Sequence, residues 1–188
     1  MIEREIKLPF ESLPDARAAI ISSGAAPLKC RRLQEDALFD TDDESLRRRG
    51  CALRIRNDNG RSLLTFKGPV QPGSMKTREE HETMISDGDV LTHVFESLGL
   101  HVWFRYQKFR EEFAAEDATI ALDETPIGTF VEIEGGERAI LTMTGALGRS
   151  PDDFILDSYR GLFLARRERF GLKGANMMFA DEWSQRSS

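Results

Sequence analysis

The first eight residues of the chain place two carboxylates and one ammonium at alternate positions. Glu3, Glu5 and Lys7 are each separated by one residue, within the sequence Met-Ile-Glu-Arg-Glu-Ile-Lys-Leu. In a β-strand, alternate side chains point to the same face, so these three groups would share one face. Carboxylates bind hard divalent cations and an ammonium binds phosphate oxygens. The pattern therefore suits a metal-bound polyphosphate.

The same alternation of charged residues recurs along the chain. It is found at Arg54 and Arg56, at Arg78, Glu80 and Glu82, at Lys108 and Arg110, and at Glu132 and Glu134. For any single strand, a solvated outer face is the ordinary explanation. A solvated face also contains Thr, Ser, Gln and Asn, however, whereas these positions are almost all Glu, Arg or Lys. We therefore interpret the pattern as a closed sheet with a charged interior.

A barrel with this lining would hold water and charged ligands, because unpaired buried charges cost several kcal/mol each. The carboxylates that would bind Mg²⁺ or Mn²⁺ are Glu3, Glu5, Glu80, Glu82, Glu132 and Glu134. The basic side chains that would bind phosphates are Lys7, Arg54, Arg56, Lys67, Arg78, Lys108 and Arg110. Such acidic and basic clusters together are the ingredients of metal-assisted phosphoryl transfer.

Strands joined by hairpins, with helices between them, would position these groups. Alternation predicts strands at residues 2–8, 28–40, 51–57, 62–67, 76–85, 101–114, 118–123 and 129–134. Capping residues and glycine stops predict helices at residues 12–24, 42–50, 87–99, 137–148 and 158–170. Asn59-Gly60 is a strong hairpin signal, because both central turn residues need positive φ. The predicted fold class is α+β, with an antiparallel sheet and helices outside it.

Length and composition limit the possible classes of protein. The 188 residues favour one domain, which we assign to residues 1–170, followed by a loosely ordered C-terminal tail at 171–188. A net charge of −6 argues against nucleic acid as a partner. Two cysteines are too few for a disulfide scaffold, and no apolar run reaches the length of a membrane span. We expect a cytoplasmic protein that binds neither nucleic acid nor membrane.

Taken in order, these segments resemble the CYTH superfamily, also called the triphosphate tunnel metalloenzymes, which includes class IV adenylate cyclases and thiamine triphosphatases. The family's N-terminal Glu-x-Glu-x-Lys is present at residues 3–7. The later signatures are EDALFD (35–40), LRIR (53–56), TFKGP (65–69), REEHE (78–82), KFR (108–110), LD (122–123), VEIE (131–134) and SYRGLF (158–163). The resemblance covers about residues 1–165. One departure is Leu38, where the family commonly has Tyr.

The resemblance implies an eight-stranded antiparallel closed β-barrel, the triphosphate tunnel, open at both ends. By position, it implies metal ligands at Glu3, Glu5, Glu132 and Glu134, with Glu80 and Glu82 at a second ion and Asp123 in the same metal set. It implies that the seven basic residues above hold the triphosphate. Lys7 would position or deprotonate the attacking water if neighbouring cations lower its pKa, and Glu5 is assigned with it as catalytic.

The resemblance implies two possible enzyme activities, and a binding module is the alternative of another class. The leading expectation is a hydrolase that uses Mg²⁺ or Mn²⁺ and acts on inorganic triphosphate, thiamine triphosphate or a nucleoside triphosphate. The alternatives are a class IV adenylate cyclase, which makes cyclic AMP and pyrophosphate from ATP, and a non-catalytic module that binds polyphosphate or nucleotides. The expected partner is a small molecule with a triphosphate. A homodimer through an outer sheet face is compatible with this design.

Overall fold

The computed structural model describes residues 1–180, and the predicted tail residues 181–188 lie outside the described part. The strands are β1 (Ile2–Phe10), β2 (Ala26–Thr41), β3 (Ala52–Asp58), β4 (Arg61–Lys67), β5 (Lys76–Ile85), β6 (Leu100–Ala115), β7 (Ala118–Thr125) and β8 (Gly128–Gly135). The helices are α1 (Leu13–Ser22), α2 (Ser45–Arg48), α3 (Gly88–Ser97), α4 (Glu137–Ala146) and α5 (Tyr159–Arg166). In this part of the chain no helix combines the length and apolar character needed to cross a bilayer.

The strands form one closed antiparallel barrel in the order β1-β5-β4-β3-β2-β6-β7-β8. Hairpins supply most of the neighbours, and β1 closes the barrel by pairing with β5 on one side and β8 on the other. The predicted α+β class and the eight-stranded antiparallel barrel are thereby confirmed. Two helices are shorter than predicted: α2 spans only Ser45–Arg48 of the predicted residues 42–50, and α5 ends at Arg166 instead of continuing to residue 170.

The apolar faces of the strands pack beneath the helices outside the barrel. Ile6, Leu8 and Ile133 are fully buried, in one cluster with Ile20 of α1 and Ile140 of α4. Burying each such side chain contributes roughly 1.5–3 kcal/mol relative to exposure. Because side chains alternate along a strand, this outer core turns the charged positions between these residues toward the barrel interior.

The β3–β4 hairpin forms as its turn sequence predicts. Asn59 and Gly60 have φ values of 53° and 80°, and the side chain of Asn57 accepts a hydrogen bond from the backbone nitrogen of Gly60. The register that this turn sets places Arg54 of β3 opposite Thr65 of β4. If either strand slipped by one residue against the other, its inward side chains would move to the outer face.

Helix α5 covers one end of the barrel. Its side chains Tyr159, Leu162 and Phe163 belong to a buried cluster with Phe104 of β6 and Phe130 of β8. Aromatic side chains bury large areas, so this cluster anchors a short helix that would be marginal in isolation. At the opposite end, the cavity lining includes Lys29 of β2, Glu112 of β6 and Glu134 of β8.

The chain after α5 packs along the first half of β6. There β7 supplies no partner, because its pairing with β6 begins only at Phe109. Met177 is fully buried, its backbone nitrogen donates to Arg105, and its carbonyl accepts from Gln107. The expectation of a loosely ordered tail is therefore wrong for residues 176–179, which satisfy backbone groups that the barrel leaves free.

Candidate active site

A cavity of about 970 Å³ runs inside the barrel and reaches both of its ends. All seven predicted phosphate-binding residues line it, and so do six of the seven predicted metal ligands. The exception is Asp123, which lies behind the lining. The alternation in the sequence therefore brings the predicted residues together in one space.

The acidic wall of the cavity is paired with lysines and arginines. Glu3 accepts hydrogen bonds from Lys67 at 2.7 and 2.9 Å and from Arg78 at 3.3 Å. Glu5 accepts one from Lys76 at 2.8 Å. Within residues 1–180, no three acidic, histidine or cysteine side chains converge as a ready-made metal site. A divalent cation would have to compete with these ammonium and guanidinium groups.

Glu134 is the carboxylate of this wall that fits a cation best. It pairs in register with Glu5 and is exposed to the cavity, and it forms no side-chain hydrogen bond or ion pair with any described residue. Partial burial, and then the charges of Glu3, Glu5 and Glu80, raise the pKa of Glu134 to about 7. Carboxylate oxygens are the donors that Mg²⁺ and Mn²⁺ prefer, so Glu134 and its acidic neighbours offer suitable donor chemistry without converging as a formed site in the described residues.

The Lys7 ammonium lies between two carboxylates of the cavity wall. Its Nζ is 3.2 Å from Glu132 and 3.5 Å from Glu5, and its side chain is 2% exposed. Burial by itself lowers the pKa of Lys7, but the two carboxylates outweigh burial and raise it above the ordinary value. Lys7 could deprotonate water only if neighbouring cations lowered its pKa, and in this geometry its pKa is raised instead. Lys7 remains an ammonium suited to holding a phosphate oxygen.

Asp123 is fully buried beneath two of the phosphate-binding residues. It accepts hydrogen bonds from Lys108 at 2.8 Å, from Arg110 at 2.6 Å and from the Tyr159 hydroxyl at 2.6 Å. Its oxygens are engaged by these three donors. The geometry therefore favours a role in positioning Lys108 and Arg110 over the metal-ligand role that the sequence suggested.

The two arginines of β3 reach into the cavity from the side of Asp36. Arg56 makes two hydrogen bonds to Asp36, at 2.8 and 3.1 Å, and the Nη2 atom of Arg54 donates to Thr65 at 3.0 Å. The Nε atom of Arg54 is buried without a well-directed acceptor, although an Asp36 oxygen lies 3.3 Å away. A buried donor without an acceptor costs about 1–3 kcal/mol. A phosphate oxygen in the cavity would supply that acceptor.

Two residues of the site were missed by sequence reasoning. Lys76 is 5% exposed and lines the cavity. Burial and then the charge of Lys7 lower the pKa of Lys76 to about 8. Its position two residues before Arg78 in the same strand predicts that Lys76 also faces the cavity.

The second missed residue is Tyr159. Its ring lies 4.8 Å from the Lys108 ammonium and 5.3 Å from that of Lys7. No spacing in the sequence relates this tyrosine of α5 to the strands.

Comparisons with known proteins agree with the family resemblance and with the fold. A family model described as the CYTH domain matches residues 1–141. The chain is 32% identical over 176 residues to "Putative adenylate cyclase MJ0240" of Methanocaldococcus jannaschii, which covers 86% of this chain and 100% of that protein.

Two solved structures show the same architecture. The PH1819 protein of Pyrococcus horikoshii OT3 has a TM-score of 0.73 at 28% identity, over 88% of this chain and 99% of its own. The Hippeastrum protein HpAC1 is described as a putative adenylyl cyclase with a dominant triphosphatase activity. It has a TM-score of 0.65 at 20% identity, over 87% of this chain and 95% of its own. At that identity the second likeness concerns the fold alone.

Proposed function

The chain belongs to the CYTH domain family, and from that premise we propose that it is a divalent-metal-dependent triphosphate hydrolase. Its substrate would be inorganic triphosphate, thiamine triphosphate or a nucleoside triphosphate, bound within the barrel. The observation that carries the proposal is the shared lining of one cavity by seven basic side chains and six carboxylates of the predicted set. A solvated sheet face would not enclose these charges.

The basic residues would bind and orient the triphosphate. Arg54 offers a buried Nε that lacks a well-directed acceptor, and a guanidinium can donate two parallel hydrogen bonds to a phosphate. Lys7 stays protonated between its carboxylates. Asp123 and Tyr159 hold Lys108 and Arg110 in place. Cations fixed before the reaction stabilise developing charge without reorganisation.

The carboxylates would hold Mg²⁺ or Mn²⁺. The proposed ligands are Glu3, Glu5, Glu132 and Glu134, with Glu80 and Glu82 beside them. When bound, the ion would neutralise phosphate charge and make water a better nucleophile near neutral pH. The raised pKa of Glu134, caused by burial and by neighbouring carboxylates, supports a cation at this wall. Glu5 would act through that role, between Lys7 and Lys76.

A class IV adenylate cyclase is the second candidate. In that reaction the ribose 3′-hydroxyl attacks the α-phosphate of ATP and pyrophosphate leaves. The candidate is favoured by the printed name of the relative at 32% identity. HpAC1 carries a cyclase name together with a dominant triphosphatase activity, so such a name is compatible with hydrolysis.

Product analysis tests the proposal. The full chain is incubated with inorganic triphosphate, thiamine triphosphate or ATP, with Mg²⁺ or Mn²⁺, and orthophosphate, pyrophosphate and cyclic AMP are followed. We expect orthophosphate release that EDTA abolishes. Cyclic AMP and pyrophosphate in equal amounts would replace the hydrolase with the cyclase. Micromolar binding of triphosphate without turnover of any substrate would favour a non-catalytic binding module.

A further inference from the structure

We infer that Thr65 is a positioning residue for the triphosphate, because it holds the guanidinium of Arg54 in the orientation that receives a phosphate oxygen. The inference rests on the proposed function and adds a residue to the machinery of that site. Thr65 is uncharged and fully buried, so the pattern of charged residues in the sequence does not identify it. The two side chains that it contacts, Arg54 and Glu82, both line the cavity.

Thr65 lies between Arg54 and Glu82 in one row across three strands. It pairs in register with Arg54 of β3 on one side and with Glu82 of β5 on the other. Opposite side chains on one face of an antiparallel pair have Cβ atoms about 4.5–5.5 Å apart. The three side chains therefore meet on the inner face of the barrel.

These three side chains form a closed set of hydrogen bonds. The Nη2 atom of Arg54 donates to the Thr65 hydroxyl at 3.0 Å, and that hydroxyl donates to the Oε2 atom of Glu82 at 2.9 Å. A longer contact of 3.5 Å joins the same Nη2 and Oε2 atoms directly. A hydroxyl has one donor and two acceptor lone pairs. Thr65 therefore uses its one donor on Glu82 and accepts from Arg54.

The contact with Thr65 sets the direction of the Arg54 guanidinium. This group is planar and its donors form a rigid fork, so a fixed Nη2 also fixes the direction of the neighbouring Nε. The Nε atom lies 3.3 Å from an Asp36 oxygen without a well-directed hydrogen bond. Thr65 thus holds Arg54 in an orientation in which Nε still has a hydrogen bond to donate to a phosphate oxygen.

A hydroxyl that serves the fold alone is the alternative explanation for Thr65. Loss of such a hydroxyl would lower stability without changing the affinity for triphosphate. Most side-chain hydrogen bonds in proteins, however, join a side chain to the backbone or to water. Both partners of Thr65 are charged side chains of the cavity lining, and this choice of partners favours a role at the site.

Calorimetric titration with inorganic triphosphate in the presence of EDTA measures the effect without metal or turnover. Thr65→Val and Thr65→Ala remove the hydroxyl, and Thr65→Ser keeps it. Thr83→Val, at an exposed position of β5, is the control. Loss of residues that orient metal ligands costs about 10–100-fold, and we expect the lower end of this range here, a rise of about tenfold in Kd for both hydroxyl-free variants. The Kd values of Thr65→Ser and Thr83→Val should be nearly unchanged.

A double-mutant cycle with Arg54→Gln tests whether Thr65 acts through Arg54. Thr65→Val should change Kd very little in the Arg54→Gln background, because the guanidinium that Thr65 orients is no longer present. Substitutions at independent sites have additive free energies, so their fold-changes multiply. Fold-changes that multiply in this cycle would overturn the inference, and so would wild-type Kd values in folded Thr65→Val and Thr65→Ala proteins.

Steady-state kinetics with inorganic triphosphate and Mg²⁺ separate positioning from a purely structural role. A contact that acts equally on bound substrate and transition state changes KM and leaves kcat unchanged. We expect the hydroxyl-free variants to raise KM and to keep kcat close to the wild-type value, with recovery in Thr65→Ser. Urea unfolding is measured on the same proteins. Lower stability together with wild-type KM and Kd would identify a structural hydroxyl and overturn the inference.

Failure of the proposed function is distinguishable from failure of this inference. Binding of inorganic triphosphate that depends on the Thr65 hydroxyl, without hydrolysis of any triphosphate by the wild type, would overturn the hydrolase and support the positioning role. Hydrolysis with the same KM in the wild type and in the hydroxyl-free variants would support the hydrolase and overturn the positioning role.

Discussion

Arg54 and Glu134 show most directly how the tunnel wall is prepared for ligands. Arg54 has a buried Nε without a well-directed acceptor, and Glu134 has a pKa near 7 because burial and other carboxylates disfavour its charge. Buried polar groups in native proteins are nearly always paired, so the Nε atom of Arg54 needs a reason, and a phosphate oxygen would supply its acceptor. Glu134 is exposed to the cavity, where a divalent cation would stabilise its charged form.

Arg54→Gln tests the phosphate contact. The substitution removes a charged donor, and hydrogen bonds to charged groups contribute about 1.5–3 kcal/mol. We expect kcat/KM for inorganic triphosphate to fall roughly 10–100-fold, by the factor of ten that each 1.4 kcal/mol represents. Arg61→Gln, at the exposed first residue of β4, is the control and should keep wild-type activity. Wild-type kcat/KM in a folded Arg54→Gln protein would contradict the contact.

Residue spacing predicted which charged residues line the cavity, but not their pKa values or every lining residue. The alternation of Glu, Lys and Arg was sufficient to identify the cavity residues, and it also contained Lys76, which we overlooked. The raised pKa of Lys7 depends on Glu5 of the same strand and also on Glu132 of β8. The position of Trp103 in the cavity lining depends on a bulge, which is a property of strand pairing. The contact with Glu132 and the bulge cannot be obtained from spacing along one strand.

At the scale of elements, α5 connects the end of the barrel to the phosphate-binding residues. The Tyr159 hydroxyl donates to Asp123, and Asp123 accepts from Lys108 and Arg110. Docking of α5 therefore supports the orientation of two cations in the cavity. Positioning residues of this kind act through their neighbours.

Tyr159→Phe should remove this support while preserving the packing of the ring. We expect kcat/KM for inorganic triphosphate to fall roughly tenfold, because Asp123 loses one of its three donors and holds Lys108 and Arg110 less firmly. Leu164→Ala, which changes an exposed side chain of the same helix, is the control. A Tyr159→Phe protein that loses stability but keeps its kcat/KM would refute the coupling.

Helix α2 depends on a single buried carboxylate. Asp40 accepts hydrogen bonds from the backbone nitrogens of Thr41, Leu46 and Arg47. Burial raises the pKa of Asp40, but these donors outweigh it and lower the pKa below its ordinary value. The resulting stability is present above the unfolded-state pKa of about 3.9 and is lost as pH falls through the folded value.

Asp40→Asn should therefore lower the free energy of unfolding by about 1–3 kcal/mol at pH 7. The loss of stability on acidification below about pH 4 should also be smaller than in the wild type. Urea unfolding at pH 7 and pH 3 measures both effects. Asp42→Asn, at an exposed position two residues later, should change the free energy of unfolding by less than about 0.5 kcal/mol. An unchanged pH dependence in Asp40→Asn would show that Asp40 does not carry the effect.

At the scale of the whole molecule, the outer apolar core and the inner charged lining are two sides of the same strands. Ile6 and Leu8 are buried outside the barrel, whereas Glu5 and Lys7, at the alternate positions of the same strand, face the cavity. The order of elements and the closed barrel could therefore be predicted from alternation and hairpins. The packing of Met177 along β6 could not be predicted in this way. Met177 covers the part of β6 that has no partner in β7, and that part is defined only by the pairing of the closed barrel.

The central claim is that this tunnel hydrolyses a triphosphate with a divalent cation held by its acidic wall. The most direct measurement is orthophosphate release from inorganic triphosphate across a range of Mg²⁺ and Mn²⁺ concentrations, for the wild type and Glu134→Gln. Glu111→Gln, which changes a carboxylate paired with Arg17 outside the cavity, is the matched control.

We predict that the wild type and Glu111→Gln release orthophosphate only when the metal is present. Glu134→Gln should need more metal for half-maximal activity and should lose about tenfold or more in kcat/KM, the scale of effect seen when metal sites are perturbed. Release that does not depend on the metal, or a Glu134→Gln protein with wild-type activity and metal dependence, would contradict the account.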